Sequence, residues 1–339
     1  MPRIVRNPHA AQAPPDGLVS LAEILAARDR IAGVAVCTPL VRAEFPGVGA
    51  IALKAESLQP IGSFKLRGAY NKAGSLPADL LARGLITYSS GNHAQGVAYA
   101  ARALGTKAVI VMPSNAPAIK RRATEALGAT IVTVGPGSQE RRQRAEELAA
   151  AEGYTILPPY DDPAIIAGQG TCGLEILEQF PDVEVVLAPV GGGGLISGVA
   201  TAIKRQRPDV MVWGVEPELA ADATESLAAG SIVTYTAEQT ARTMADGLRT
   251  QHVGERNFAH ISAFVDGMVT VTEAEIAAAV RAIAQHARLV AEPSGAVACA
   301  AALFHEAAIS ASGRRVCAIV SGGNAEPEIL GHILSTRHD

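Results

Sequence analysis

The sequence predicts an α/β protein of two domains, each an open, mostly parallel sheet with helices on both faces. Three observations predict it. From Gly84 onward, short apolar runs alternate with helical stretches, the pattern of parallel strands joined by crossover helices. The chain has 339 residues, 48% of them apolar and 18% charged, enough to build two cores and too apolar for disorder. Polar or glycine-rich turns follow several strand ends, where open α/β sheets bind ligands.

The elements follow in chain order. Residues 1–17 carry Arg3 and Arg6 but no apolar stretch, so they read as a flexible tail and not as a signal peptide. Residues 18–31 form an amphipathic helix with Leu21, Ile24, Leu25 and Ile31 on one face, started by a Ser20–Glu23 capping box. A strand over 51–57 comes next, and Ser63 caps a helix to about residue 72. Strands at 85–89, 108–112, 130–134 and 154–157 alternate with helices at 92–104, 116–127 and 138–152. This block, 79–160, reads as a small α/β domain inserted into a large one made of 18–78 and 161–339. The large domain resumes with a helix over 163–180, a strand over 183–190, a helix over 195–205 and a strand over 210–215. An irregular polar region spans 218–257. A strand at 264–270, an Ala-rich helix capped by Thr272 to about 289, a helix from Ser294 and a strand over 315–320 close the chain.

Bulk properties exclude several classes. The net charge is −4 and the arginine doublets, such as Arg121-Arg122 and Arg314-Arg315, are scattered, so no nucleic-acid face is expected. No apolar run is long enough to span a bilayer. Cys37, Cys172, Cys299 and Cys317 lie far apart, so they read as small core residues in a reducing compartment, the cytoplasm.

Five segments carry the chemistry. Lys65 lies between Phe64 and Leu66, just past a buried strand. A lysine at the mouth of a core loses basicity readily and can form a Schiff base with a carbonyl compound. Gly191, Gly192, Gly193 and Gly194 follow a strand and open a helix, exposing N–H groups to a phosphate. Ser89, Ser90, Gly91, Asn92 and His93 form a strand-to-helix turn that suits a carboxylate or, more simply, an N-cap by Ser90 or Asn92. His93 itself reads as a packing residue. Ser321 presents a hydroxyl at the end of a buried strand. Glu216 and Asp222, with nearby carbonyls, form either a hard-cation site or a solvated acidic loop. A dinucleotide is the alternative ligand, with Glu216 on a ribose. Against it, Gly192-x-Gly194-x-x-x-Gly198 misses the dinucleotide fingerprint by one residue.

Together these residues resemble the fold-type II pyridoxal-phosphate enzymes, with a tryptophan synthase β-like fold, and within them the serine/threonine dehydratase and serine racemase family. Ser63-Phe64-Lys65-x-Arg67-Gly68-Ala69, Ser90-Gly91-Asn92-His93-Ala94-Gln95-Gly96, Ala167-Gly168-Gln169-Gly170-Thr171, the tetraglycine and Ser321-Gly322-Gly323-Asn324 occur in the family's order. The resemblance implies that Lys65 carries pyridoxal 5'-phosphate and that Phe64 packs beside its ring. It implies that Asn92 bonds the phenolic oxygen, residues 191–194 cradle the phosphate and Ser321 meets the pyridine nitrogen. Residues 89–93 would hold the substrate carboxylate, with Ser90 opposite Lys65. Glu216, the Ala220 carbonyl and Asp222 would hold Mg2+, Mn2+ or Ca2+, and the protein would be a homodimer acting on a small amino acid. The implied reaction is β-elimination of L-threonine or L-serine; serine racemisation and 3-hydroxyaspartate dehydration are alternatives on the same scaffold. Tyr160, within Pro158-Pro159-Tyr160-Asp161-Asp162-Pro163, resembles bacterial catabolic threonine dehydratases more than animal racemases. Pro60 replaces a nucleotide-binding lysine of those racemases. Arg141 or Arg142 could reach a second substrate carboxylate.

Overall fold

A computed structural model describes residues 2–8, 15–89, 91–114, 116, 118–135 and 137–336. In chain order its strands are β1 (Ile4–Arg6), β2 (Leu40–Phe45), β3 (Gly49–Ala55), β4 (Leu85–Thr87), β5 (Ala108–Pro113), β6 (Thr130–Val134), β7 (Thr155–Ile156), β8 (Val185–Pro189), β9 (Met211–Pro217), β10 (Gly267–Val271) and β11 (Val316–Val320). Seven form one sheet in the order β1-β10-β9-β8-β11-β3-β2, and four form a second in the order β6-β5-β4-β7. The second sheet is wholly parallel. In the first, only the edge strands β1 and β2 run antiparallel to their neighbours.

The strand sequences explain this layering. β8, β10 and β11 are buried at every position, as central parallel strands covered on both faces must be. Alternate residues feed two cores. Leu187, Trp213, Val215 and Val269 face one; Val186, Val212, Met268 and Ile319 face the other. The smaller sheet has its own cores, around Leu85, Ile110 and Met112 on one side and Ile86, Val109 and Val111 on the other.

Glycines let the site-bearing helices touch backbone to backbone. A Cβ on Gly198 would lie 2.3 Å from the Ile166 carbonyl oxygen, and one on Gly168 would lie 2.6 Å from the Gly68 Cα. Helices Lys65–Gly74 and Gly194–Lys204 therefore both pack directly on helix Pro163–Gln179. The motif at 167–171 is thus a packing element: Gln169 accepts from the Gly68 N–H at 3.2 Å.

Several expectations need correction. Residues 4–6 are not tail but strand β1, paired with β10; Ile4 is 38% exposed, so no apolar pattern marks it. β2 was not expected; it buries Ala43 and Phe45 against the sheet. Ser63 does not cap its helix. Phe64 is the N-cap, with no side-chain cap bond, and Ser63 Oγ is buried without a partner among the described residues. Gly91, not Ser90 or Asn92, is the N-cap of helix Asn92–Ala103; Ser90 lies outside the described residues. The irregular 218–257 region contains helix Asp222–Ala229 and a short capped helix, Ala237–Thr240. Helix Glu255–Phe264 displaces the start of β10 to Gly267. Cys37 is exposed, whereas the other three cysteines are buried. The Ser20–Glu23 and Thr272–Glu275 capping boxes form as expected. Among the described residues no helix is long and apolar enough to cross a membrane.

Candidate active site

The ends of β3 and β11, adjacent strands, place the lysine. The turn at 62–64 is laced to the turn after β11. Phe64 N–H donates to the Ser321 carbonyl at 3.0 Å, Gly323 N–H donates to the Gly62 carbonyl at 2.9 Å, and Ser63 bridges Gly322. Lys65 is then the first residue of its helix. Its Nζ lies 5.2 Å from the Phe64 ring centre and donates to the Pro159 carbonyl at 2.8 Å. The residue is partly accessible, but protein surrounds its amine and burial lowers its pKa to about 8. An amine so placed is neutral for part of its time at physiological pH, the form that attacks a carbonyl.

Asn92, at the end of the β4 turn, reaches across to the larger sheet. It donates to Glu292 Oε1 at 2.5 Å and accepts from Asn324 Nδ2 at 2.8 Å; Asn324 also donates to the Ile61 carbonyl at 2.8 Å. Both bonds fix the amide's orientation and, among the described residues, leave one N–H of Asn92 without an acceptor. His93 is 3% exposed and bonds the Leu157 carbonyl at 3.0 Å. Burial, with Lys65 adding to it, lowers its pKa to about 3, so it stays neutral and structural. Ser89 Oγ accepts from the Gly91 N–H at 3.4 Å.

The glycine run caps the helix Gly194–Lys204. Gly193 has φ +92°, where a Cβ would also meet Asn257 at 2.8 Å. Tyr160 packs its ring on Gly192, and Leu248 lies on Gly191. Among the described residues, none accepts a hydrogen bond from the N–H of Gly191, Gly192 or Gly193. Thr250 Oγ1, 3.4 Å from a Gly191 Cβ position, is buried without a partner. Unmet donors at a helix start are what a phosphate satisfies.

Glu216, Ala220 and Asp222 sit together at the end of β9. Glu216 is already committed, accepting from the N–H groups of Ala223 and Thr224 and from the Thr224 hydroxyl at 2.6–3.0 Å. Asp222 is not: both oxygens are buried with no bond of ordinary geometry among the described residues, though the N–H groups of Asp222 and Val253 lie near. Burial first, and Glu216 second, hold its carboxyl well above the usual range. Among the described residues no group of three or more His, Cys, Asp or Glu is arranged to hold a metal.

The sequence reading missed Glu292. It is the one charged residue between Leu289 and Phe304, and that isolation was the available signal. It is 2% exposed, and among the described residues its Oε2 has no partner.

Residues 31–322 match the family described as pyridoxal-phosphate dependent enzyme. The chain belongs to this family. It is 38% identical over 320 residues to the L-threo-3-hydroxyaspartate ammonia-lyase of Saccharomyces cerevisiae, covering 94% of this chain and 97% of that one. It is 39% identical to the catabolic L-threonine dehydratase of Escherichia coli, covering 91% and 94%. The solved processed form of threonine deaminase isoform 2 from Solanum lycopersicum superposes with a TM-score of 0.87 at 38% identity, covering 99% of this chain and 98% of that one.

The residues present fit the family's cofactor. A weakly basic amine, uncommitted glycine N–H groups and orphaned polar atoms on Ser63, Thr250 and Glu292 surround the same turns. Without cofactor, Glu292 makes stability depend on pH. Burial pushes its carboxyl up to about 7; Lys120 opposes this, Asp246 adds to it and the Asn92 bond opposes it. Unfolded, it titrates near 4.5. Between those values the folded chain keeps a proton that the unfolded chain has lost, so stability falls as pH rises through the window. From pH 5 to 8, cofactor-stripped wild type should lose about 2–3 kcal/mol more than Glu292→Gln, read from urea midpoints. Parallel curves for the two proteins would remove this role from Glu292.

Proposed function

We propose that the enzyme deaminates a β-hydroxy amino acid, L-threonine or L-serine, by β-elimination. The observation that carries this reading is the Lys65 amine, pKa about 8, held at the Pro159 carbonyl, next to the Tyr160 ring that packs on Gly192 of the glycine run. In this reading residues 191–194 would hold the cofactor's phosphate, Phe64 would flank its ring, Asn92 would donate to its phenolic oxygen and Ser321 would meet its pyridine nitrogen. Ser89, Gly91, Asn92 and the backbone N–H of His93, with Ser90 outside the described residues, would take up the substrate carboxylate. The bound cofactor supplies an electron sink conjugated with the substrate's α-carbon. Lys65, partly neutral near pH 7, takes the α-proton. The β-hydroxyl leaves with a proton as water. The released enamine takes up water and yields a 2-oxo acid and ammonia. A serine hydroxyl at the ring nitrogen, in place of a carboxylate, would make the bound cofactor a milder electron sink, which would favour prompt loss of the β-hydroxyl.

The test is ammonia release from L-threonine, L-serine, D-serine and 3-hydroxyaspartate. Ammonia with 2-oxobutanoate or pyruvate is expected from the first two. D-serine formed from L-serine without ammonia would replace elimination by racemisation.

A second reading adds 3-hydroxyaspartate as a substrate, with Arg141 as the partner of its second carboxylate. On helix Ser138–Glu152, Arg142 pairs with Glu146 and Arg144 with Glu147. Arg141 pairs with no carboxylate among the described residues and bonds only the Gly137 carbonyl, while burial lowers its pKa. A substrate's second carboxylate would complete it. Arg141→Met should lower kcat/KM for 3-hydroxyaspartate about tenfold to a hundredfold, the scale of a lost charged hydrogen bond, and change it far less for threonine. Equal losses on both substrates would count against the assignment.

We further propose that Asp222, with Glu216 and the Ala220 carbonyl, takes a divalent cation, which would relieve its unpaired burial. Thermal stability should then rise with added Mg2+ or Ca2+ in wild type and not in Asp222→Asn.

A further inference from the structure

The substrate and the cofactor, as read above, are held by different halves of the molecule. The carboxylate-binding turn at 89–93 belongs to the smaller sheet. The lysine and the glycine cup belong to the larger one. Catalysis requires the two to be held at a fixed separation.

Besides the Asn92 bonds to Glu292 and Asn324, two further contacts join the halves. At one contact, helix Asn92–Ala103 lies on the lysine helix so closely that a Cβ on Gly96 would be 3.2 Å from the Lys65 carbonyl oxygen. At the other, Lys120 reaches across to Asp246. Lys120 lies on helix Ala118–Ala126, which follows β5 of the smaller sheet. Asp246 opens the turn Asp246–Leu248 on the larger side. That turn is the wall of the glycine cup: Leu248 Cα lies 3.2 Å from a Gly191 Cβ position, and Gly247 N–H donates to Ser294 Oγ at 2.8 Å. Lys120 Nζ donates to Asp246 Oδ2. The lysine side chain is 7% exposed and the aspartate 36%. Among the described residues this is the one ion pair that joins residues 85–156 to the rest of the chain.

We propose that Lys120 and Asp246 are positioning residues, whose ion pair clasps the carboxylate-binding half against the wall of the glycine cup. A buried ammonium is tolerated only while paired. Lys120 is therefore buried when the halves are together and must return to water when they part. Both partners also act through space on Glu292, which sets the clasp beside the Asn92–Glu292 bond. Neither residue touches the lysine or the glycine N–H groups, so their effect is on how the substrate is held and not on the proton transfer itself.

The inference rests on the reading of residues 89–93 as the carboxylate site. Its test uses holoenzyme carrying Lys120→Met, Asp246→Asn, and the exchanged pair Lys120→Asp with Asp246→Lys. Each single variant should raise KM for threonine about tenfold or more, the scale of losing one partner of a partly buried charge pair, with kcat changed far less. Acrylamide should quench the bound cofactor's fluorescence more in the single variants, and saturating substrate should no longer shield it. The exchanged pair should recover most of the KM and the shielding, which a role confined to thermal stability would not predict. Wild-type KM in both single variants, or an exchanged pair no better than the worse single, overturns the clasp. Those outcomes leave the absorbance of the lysine-bound cofactor in place. Its absence from wild type would instead overturn the reading of the site.

Discussion

Lys65→Ala is expected to abolish ammonia release, with kcat/KM for threonine lower by at least about ten-thousandfold. Two contributions combine. General-base removal of the α-proton is worth about a hundredfold to ten-thousandfold, and the covalent hold on the cofactor's carbonyl is lost with the same atom. The purified variant should lack a yellow absorbance band that borohydride removes, because among the described residues no other amine lies at the turn laced to residues 321–323. Lys65→Arg should be as inactive as alanine. A guanidinium at that position stays charged and can serve neither as nucleophile nor as base. The fold should survive. Among the described residues the Lys65 amine makes one hydrogen bond, to the Pro159 carbonyl, and the alanine variant removes a group whose burial in charged form is unfavourable. Circular dichroism and a urea midpoint near wild type would establish that the loss is chemical. Ammonia production at near wild-type rate by either variant would end the assignment.

How much was legible depended on how local each signal is. The alternation of Val/Ile/Ala runs with helical stretches is a short-range pattern, and strands at 85–87, 108–113, 130–134 and 185–189 follow it. Lys65, the glycine run and Ser321 were legible as candidates because the glycines and Ser321 follow strand ends, and the lysine's turn is laced to one of them; topology alone brings strand ends to one rim. Residues joined by tertiary contact were not. Glu292 lies 200 positions from Asn92, and Lys120 lies 126 from Asp246; no window of sequence contains either pair. Ser63 failed as a cap for a related reason. Its N–H and C=O neighbours are drawn into the turn after β11, so tertiary lacing displaced the local capping bond. β1 is three residues long with only one of them partly buried. It is held by pairing to β10 and by the Arg6 guanidinium over the Trp213 ring at 5.4 Å, neither of which an N-terminal stretch announces.

The second large effect concerns stability. Behind the lysine helix, Arg67 is fully buried and forks two ways. It binds Glu56 through Nε and Nη2 at 2.8 Å each, and Glu175 through Nη1 and Nη2 at 2.6 and 2.7 Å. Lys54, also fully buried, donates to Glu175 at 2.6 Å, to the Thr38 carbonyl at 2.6 Å and to Gln179 at 2.9 Å. Two cations thus share two carboxylates. Glu175→Ala would leave the Lys54 ammonium buried without a carboxylate and half of the Arg67 fork unmet. The expected loss is about 3–5 kcal/mol in urea unfolding, the cost of breaking a buried pair from one side. A loss under about 1 kcal/mol, that of a surface pair, would show that water reaches the network. Glu56 gives the same network an acid limit. Burial alone would raise its pKa, but Arg67 and Lys54 outweigh burial and the net shift is downward. Its contribution is present above its unfolded value near 4.5 and is lost as pH falls below it. Glu56→Gln should therefore flatten the acid side of the stability curve while lowering its plateau. Lysine cannot replace Arg67, because one ammonium cannot meet two carboxylates bidentately. Arg67→Lys should lose most of what Glu175→Ala loses. Replacing Lys54, Glu56, Arg67 and Glu175 together by apolar residues of like volume should by contrast restore stability. Restored stability with reduced kcat would show that the network serves the placement of Lys65, two residues away, more than it serves the fold.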